Sequence, residues 1–238
     1  EVADGYAGPV KVALCGPWTL AASLELANGN VVLTDSGAVR DVHASQLEGA
    51  RALLDEIGRR VPGAELILQL DEPLLPAVLA GSLKSASGYS RLPAVPEATV
   101  EQTFAEYVDR LDASVVVHSC APKVPLTLLR RAGIDAALVD AALVTAADYD
   151  ETGEAVDAGL ELVLGVFDPL QPPTPARVDA AAARAREIAN IVAIPVDERS
   201  ERVGISPSCG LAGTTWDNAV ALTRATTRVA RALRDQPE

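Results

Sequence analysis

His118 and Cys120 lie two residues apart at the end of an apolar run, VVVHSC, in a chain with only two histidines and three cysteines. In a continuing strand, side chains at i and i+2 point to the same side, so both can reach one metal ion. Cys209 follows another apolar run, in ISPSCG, and Asp140 ends a third. Two thiolates, one imidazole and one carboxylate form a ligand set typical of four-coordinate zinc. These residues predict a zinc site, and the alternative is that the cysteines pack as small apolar side chains.

Asp71 and Glu72 follow a further apolar run, in LQLDEP. Adjacent strand residues point to opposite faces, so only one of these two carboxylates faces the site. We expect a carboxylate at this position to bind a substrate ammonium group. The alternative is that it forms an ion pair or stabilises the N-terminus of a helix.

The remaining cysteine and histidine are not assigned to the predicted zinc site. Cys15, in LCGP, also ends an apolar run and is an alternative ligand, but it has no histidine or aspartate beside it and is predicted to pack as a small apolar side chain. His43, in RDVHAS, lies in a predicted helix, is expected to be at the surface or half-buried, and is assigned no role. Ser206 and Ser208, beside Cys209, are expected to line the pocket or to cap the following turn.

Short apolar runs alternate with longer amphipathic runs along the chain, which predicts six strand–helix units. The predicted strands are Val10–Leu14, Leu66–Leu70, Val115–Val117, Ala136–Val139, Leu160–Val166 and Val203–Ile205. The predicted helices are Gly37–Val61, Pro96–Leu111, Leu126–Ala132, Tyr149–Ala158, Pro175–Ile191 and Trp216–Leu233. This alternation predicts an α/β fold with parallel strands. An open doubly wound sheet and a closed barrel are the two alternatives, and the polar residues at nearly every strand end favour the barrel.

Length and composition predict one globular domain over residues 1–238, because 49% of the residues are hydrophobic and 22% are charged. A net charge of −13 argues against nucleic acid or an anionic membrane as partner. No apolar run reaches the roughly 18–20 residues of a spanning helix, and an odd cysteine number indicates a reducing, cytoplasmic location. The chain begins at Glu1 and contains no methionine. We therefore expect the first one or two βα units of the domain to lie upstream of it. Nothing in the sequence indicates an oligomeric state.

Taken together, the segments CGPWTL, LQLDEP, VVVHSCA, LGVFDP and SPSCGLAG, with the strand ending at Asp140, resemble the catalytic domain of cobalamin-independent methionine synthase. They occur in the family's order and span roughly residues 10–215. The resemblance implies a (β/α)8 TIM barrel of the superfamily shared with uroporphyrinogen decarboxylase. It matches His118, Cys120 and Cys209 to the family's zinc ligands. Asp140 stands where the family has a glutamate ligand, and Asp71 matches the aspartate that binds the homocysteine amino group.

The implied activity is zinc-dependent methyl transfer to homocysteine in methionine biosynthesis, but the donor half of the site departs from the family pattern. Leu170 stands in place of a histidine, Ser23 in place of a tryptophan, and Ala77 in place of a glutamate that contacts folate. The methyl donor is therefore left open between methyltetrahydrofolate, a methyl-corrinoid protein and another small methyl carrier. The alternative functions are methyl transfer with a different thiol or a corrinoid partner, and a non-catalytic zinc- or ligand-binding barrel.

Overall fold

The computed structural model describes residue 3 and residues 5–235. The chain folds into two compact units. The first unit comprises Glu1–Ser119 with Arg131–Asp135, and the second comprises Cys120–Arg130 with Ala136–Glu238. None of the helices in the described part of the chain combines the length and the apolar character that a membrane crossing requires.

Strands alternate with helices along the described residues of both units. In the first unit these elements are β1 (Pro9–Cys15), α1 (Pro17–Ser23), α2 (Ser36–Arg60), β2 (Glu65–Asp71), α3 (Leu75–Leu79), α4 (Glu97–Arg110) and β3 (Ser114–Ser119). Then follow α5 (Leu126–Arg131), β4 (Ala136–Asp140), α6 (Tyr149–Asp157), β5 (Glu161–Phe167), α7 (Pro175–Ile191), α8 (Arg199–Arg202), β6 (Val203–Pro207) and α9 (Trp216–Asp235). The last residue of α5 groups with the first unit.

Each strand and helix predicted from the sequence is confirmed to within about two residues at either end. The short helices α1, α3 and α8 are additions that the sequence did not predict. They are too short to show an apolar repeat, because a helical period needs several turns to be recognisable.

Neighbouring strands are parallel within each unit, and their order follows the chain. In the first unit, Cys15 is the register partner of Asp71, and Asp71 is the register partner of His118. Register partners in a sheet project to the same face, so these three side chains form one row at the carboxyl ends of the strands. The parallel α/β architecture predicted from the sequence is therefore confirmed.

Glu72, at the end of β2, holds the first turn of α1. It has 0% relative exposure, and its carboxylate accepts hydrogen bonds from the Trp18 N–H (2.9 Å), the Thr19 N–H (2.8 Å) and the Thr19 hydroxyl (2.8 Å). The two N–H groups belong to the first helical turn, where no carbonyl of the helix can accept from them. Burial raises the pKa of Glu72 to about 7, against the lowering effect of the three hydrogen bonds.

Gly16 makes room for this carboxylate. A Cβ at residue 16 would overlap the carboxyl group of Glu72. The Gly16 N–H donates to the Asp71 carbonyl (2.7 Å), and the Glu72 N–H donates to the His118 carbonyl (2.7 Å). The ends of β1, β2 and β3 are thereby joined through one dipeptide, Asp71-Glu72. Of the two carboxylates in LQLDEP, Glu72 has the helix-stabilising role that the sequence left as an alternative.

We expect Gly16→Ala to lower the free energy of unfolding by about 2–3 kcal/mol, because the added methyl group displaces Glu72 and leaves buried N–H groups without acceptors. Gly49→Ala is the matched control, since Gly49 lies in α2 and a Cβ there meets nothing within 4 Å. This control should gain about 0.5–1 kcal/mol, as alanine favours the helix interior. Urea unfolding followed by circular dichroism measures both. Equal effects of the two substitutions would contradict the proposed fit of Glu72 against Gly16.

Candidate metal centre

The end of β3 positions His118 and Cys120. Val115 and Val117 are fully buried, and His118 is half-buried at the carboxyl end of the same strand. The Glu72 N–H holds the His118 carbonyl, so the backbone at this strand end is fixed by the neighbouring strand. Cys120 follows one residue after β3 ends and is also half-buried.

A close approach of two backbones in the second unit positions Cys209. A Cβ built at Gly165, in β5, would lie 2.5 Å from the Cα of Ser208, a separation that real Cβ atoms do not show. The Ser208 N–H donates to the Phe167 carbonyl (2.9 Å), and the β5–β6 register shifts between Gly165 and Phe167. Glycine at this position therefore allows the chain after β6 to lie against β5, which sets the position of Cys209.

The imidazole of His118 and the sulfurs of Cys120 and Cys209 form the group expected from the sequence. One ligand atom from each residue lies within 4.8 Å of the other two. Cys209 is exposed, so the group is open to solvent. Two sulfurs and one ring nitrogen suit zinc better than magnesium or calcium. Three protein ligands with solvent access are typical of catalytic zinc sites, in which a further position takes water or substrate.

The electrostatics of the thiol pair favour a bound cation. Burial raises the pKa of the Cys120 thiol, and the neighbouring Cys209 sulfur and the Asp140 carboxylate raise it further. Two thiolates beside a carboxylate repel one another unless a positive charge lies among them. A divalent cation supplies that charge, and its binding must then release thiol protons.

Asp140 ends β4 as predicted, but it is not a member of the group of three within the described residues. It is half-buried, and its Oδ1 accepts a hydrogen bond from the Ala142 N–H (2.9 Å). Its register partner is Gly165, the residue that accommodates Ser208. Its assignment as the fourth ligand remains a prediction.

Asp71 lies beside His118 in the β2–β3 ladder and is half-buried. Its Oδ1 accepts a hydrogen bond from the Gln69 side-chain amide (2.7 Å), and the Gln69 side-chain carbonyl oxygen accepts one from the Lys11 ammonium. Burial lowers the pKa of Lys11, and the charge of Asp71 partly offsets that effect. The sequence pattern did not single out Lys11 and Gln69, although the alternation of Gln69 and Asp71 along β2 placed both on one face. The role of Asp71 as an ammonium ligand stays a prediction.

The structure differs from the expectation for Cys15 and agrees with it for His43. Cys15 was predicted to be packed, but it is exposed, and that prediction is wrong. The reason is that it lies at the end of β1, a strand in which exposed residues alternate with half-buried ones. His43 is half-buried, with its ring edge against Trp18 (4.7 Å between ring centroids) and its Nε2 3.1 Å from the Pro17 carbonyl oxygen.

Gly165→Ala is expected to weaken zinc binding by about tenfold or more, because a methyl group at this position pushes Ser208 and Cys209 away from β5. Gly153→Ala, in α6, is the matched control, since a Cβ there meets nothing within 4 Å. Competition with a chromophoric chelator measures the affinity of each variant, and circular dichroism verifies that both are folded. Unchanged zinc affinity in folded Gly165→Ala would contradict this positioning of Cys209.

Zinc affinity should also rise with pH between pH 6 and pH 8, by at least about tenfold per unit. The raised pKa of the Cys120 thiol means that the metal must displace a proton throughout this range. Chelator competition at several pH values, combined with measurement of the protons released, provides the test. An affinity independent of pH would show that the thiols are not ligands.

Comparison with known proteins gives one family match. The family described as "Cobalamin-independent synthase, Catalytic domain" matches residues 2–232. No curated protein matches the chain. Among solved structures, a crystal structure of 2,3-dimethylmalate lyase, a PEP mutase/isocitrate lyase superfamily member, is 14% identical. The match covers 99% of this chain and 85% of that one, with a TM-score of 0.34, a likeness too low to support an argument about this chain.

Proposed function

The chain belongs to the cobalamin-independent methionine synthase catalytic-domain family, and on that basis we propose that it is a zinc-dependent methyltransferase that converts homocysteine to methionine. The observation that carries the proposal is the group formed by His118, Cys120 and Cys209. Its imidazole and two sulfurs are donors that zinc favours, and the three residues lie in the segments VVVHSCA and SPSCGLAG, which resemble the family pattern.

The proposed architecture is a single domain with a (β/α)8 barrel, of which six βα units lie within the described residues. Parallel strands in chain order within each compact unit support it. Active sites of such barrels lie at the carboxyl ends of the strands. Asp71, His118 and Asp140 all lie at such ends.

We propose that His118, Cys120 and Cys209 hold the zinc ion, with Asp140 as the fourth ligand. The carboxylate of Asp140 lies close enough to Cys120 to raise the pKa of its thiol, which supports this assignment. An aspartate side chain is one methylene shorter than the glutamate of the family pattern. Aspartate oxygens nevertheless bind zinc well.

When bound, zinc supplies the positive charge that keeps a substrate thiol ionised near neutral pH, although a free thiol has a pKa of about 8.5. The sulfur of homocysteine then attacks the methyl carbon of the donor, forming an S–C bond. The bond between the methyl group and the donor breaks, and the donor keeps the electron pair and takes up a proton. Asp71, held by Gln69 next to His118, would accept the substrate ammonium group and so orient the sulfur.

Methyltetrahydrofolate is the proposed donor. The family is cobalamin-independent, and a methyl-corrinoid donor, one alternative from the sequence, is therefore not supported. Leu170, which stands where the family has a histidine, is 65% exposed and cannot exchange a proton. Because Leu170 replaces that histidine, zinc-dependent binding of homocysteine without turnover is a second candidate function.

The wild-type chain should bind about one zinc ion, and His118→Gln should weaken that binding at least about 100-fold, because it removes one of the proposed protein ligands. His43→Gln replaces the other histidine and is the matched control, expected to retain full zinc affinity. Turnover of homocysteine with methyltetrahydrofolate should follow zinc occupancy in the three proteins. Zinc affinity unchanged in His118→Gln would contradict the metal site. Homocysteine binding without turnover would favour the second candidate.

A further inference from the structure

A chain of three polar side chains runs along one face of β1 and β2 towards the carboxyl ends of these strands. The Lys11 ammonium donates to the Gln69 side-chain carbonyl oxygen, and the Gln69 side-chain amide donates to Oδ1 of Asp71 (2.7 Å). Lys11 is the register partner of Ile67, whereas Asp71 is the register partner of Cys15, further along β1. At about 3.3 Å per residue, the Cα of Lys11 lies about 13 Å from that of Cys15 at the strand end.

The Gln69 amide is fixed in one orientation by the chemistry of its two neighbours. An ammonium group has only N–H donors, so it binds the amide oxygen, and a carboxylate has only acceptors, so it binds an amide N–H. Gln69 is 8% exposed, so water cannot readily replace a partner that the amide loses. Lys11 therefore determines that the N–H end of Gln69 faces Asp71.

The neutral amide also keeps two opposite charges apart. Burial lowers the pKa of Lys11 and the Asp71 charge raises it, so the ammonium and the carboxylate interact across the amide. A direct ion pair would occupy the carboxylate with a cation of the protein itself. Gln69 instead binds only Oδ1, through a neutral donor, so Oδ2 and the negative charge can serve a cation from a ligand.

We propose that Lys11 is a positioning residue that acts through Gln69 to hold the Asp71 carboxylate in the orientation that binds an α-ammonium group. This role deepens the proposed function and rests on it, because Asp71 is the proposed ammonium ligand of homocysteine. Lys11 lies too far from the strand ends to contact a thiol bound there. Its effect is on selectivity: a thiol that carries the ammonium group is bound more tightly, and a thiol without it gains nothing.

The test compares the binding of two thiols to the zinc-loaded full chain. L-Homocysteine carries the ammonium group, and 4-mercaptobutanoate differs from it only in lacking the amino group. Calorimetric titration of the wild type should show at least about tenfold tighter binding of homocysteine, the contribution of a charge-assisted hydrogen bond.

Lys11→Met removes the ammonium group with little change in side-chain size, and it should reduce this preference about three- to tenfold by weakening the homocysteine complex alone. Lys11→Arg keeps N–H donors for Gln69 and should retain most of the preference. Lys84→Met removes the same charge from an exposed position and is the matched control, expected to leave both affinities within about twofold of wild type. Circular dichroism verifies that each variant is folded.

A double-mutant cycle separates this role from a purely structural one. Asp71→Asn alone should abolish the preference for homocysteine, and adding Lys11→Met to it should cause no further loss, because Lys11 acts through Asp71. A structural role of Lys11 would instead weaken the binding of both thiols, whether or not Asp71 is present.

A wild-type chain that fails to bind homocysteine, or that binds the two thiols equally, would overturn the inference. A preference unchanged in folded Lys11→Met, or equal losses for the two thiols, would overturn it as well. A preference that depends on Lys11 in a chain without methyl transfer would support the inference while contradicting the proposed methyltransferase. Methyl transfer with the preference unchanged in Lys11→Met would contradict the inference alone.

Discussion

A carboxylate withdrawn from solvent organises the strand ends of the first unit. Glu72 has no exposure, and its hydrogen bonds to Trp18 and Thr19 tie the end of β2 to the first turn of α1. Such a burial is tolerable only because donors converge on the oxygens, and even so it raises the pKa of Glu72 to about 7. The backbone N–H of the same residue donates to the His118 carbonyl, so the end of β3 that carries the imidazole we assign to zinc is tied to the residue that bears this carboxylate.

In the second unit, the absence of a side chain at Gly165 positions a strand end in a comparable way. Gly165 lets the chain after β6 lie against β5, and this contact brings Cys209 towards Cys120. Burial and the carboxylate of Asp140 oppose ionisation of the Cys120 thiol, so keeping the two thiols close together costs free energy once they ionise. A cation among these groups converts that repulsion into attraction, which is why the arrangement is suited to a metal and poorly suited to purely structural cysteines.

The thiol half and the donor half of the proposed reaction are supported to different degrees by the residues present. The donors around the candidate metal centre suit zinc, whereas exposed Leu170 offers no proton donor to a departing folate.

The sequence by itself determined the parallel α/β fold and the residue types of the candidate metal centre. Both depend on short-range information: the period of apolar residues along the chain, and rare side chains at strand ends. Only the tertiary structure decided that Cys15 is exposed, that Glu72 rather than Asp71 holds α1, and that Gly165 is needed to position Cys209. The last two outcomes depend on contacts between residues about 40 to 60 positions apart, whose partners no local pattern specifies.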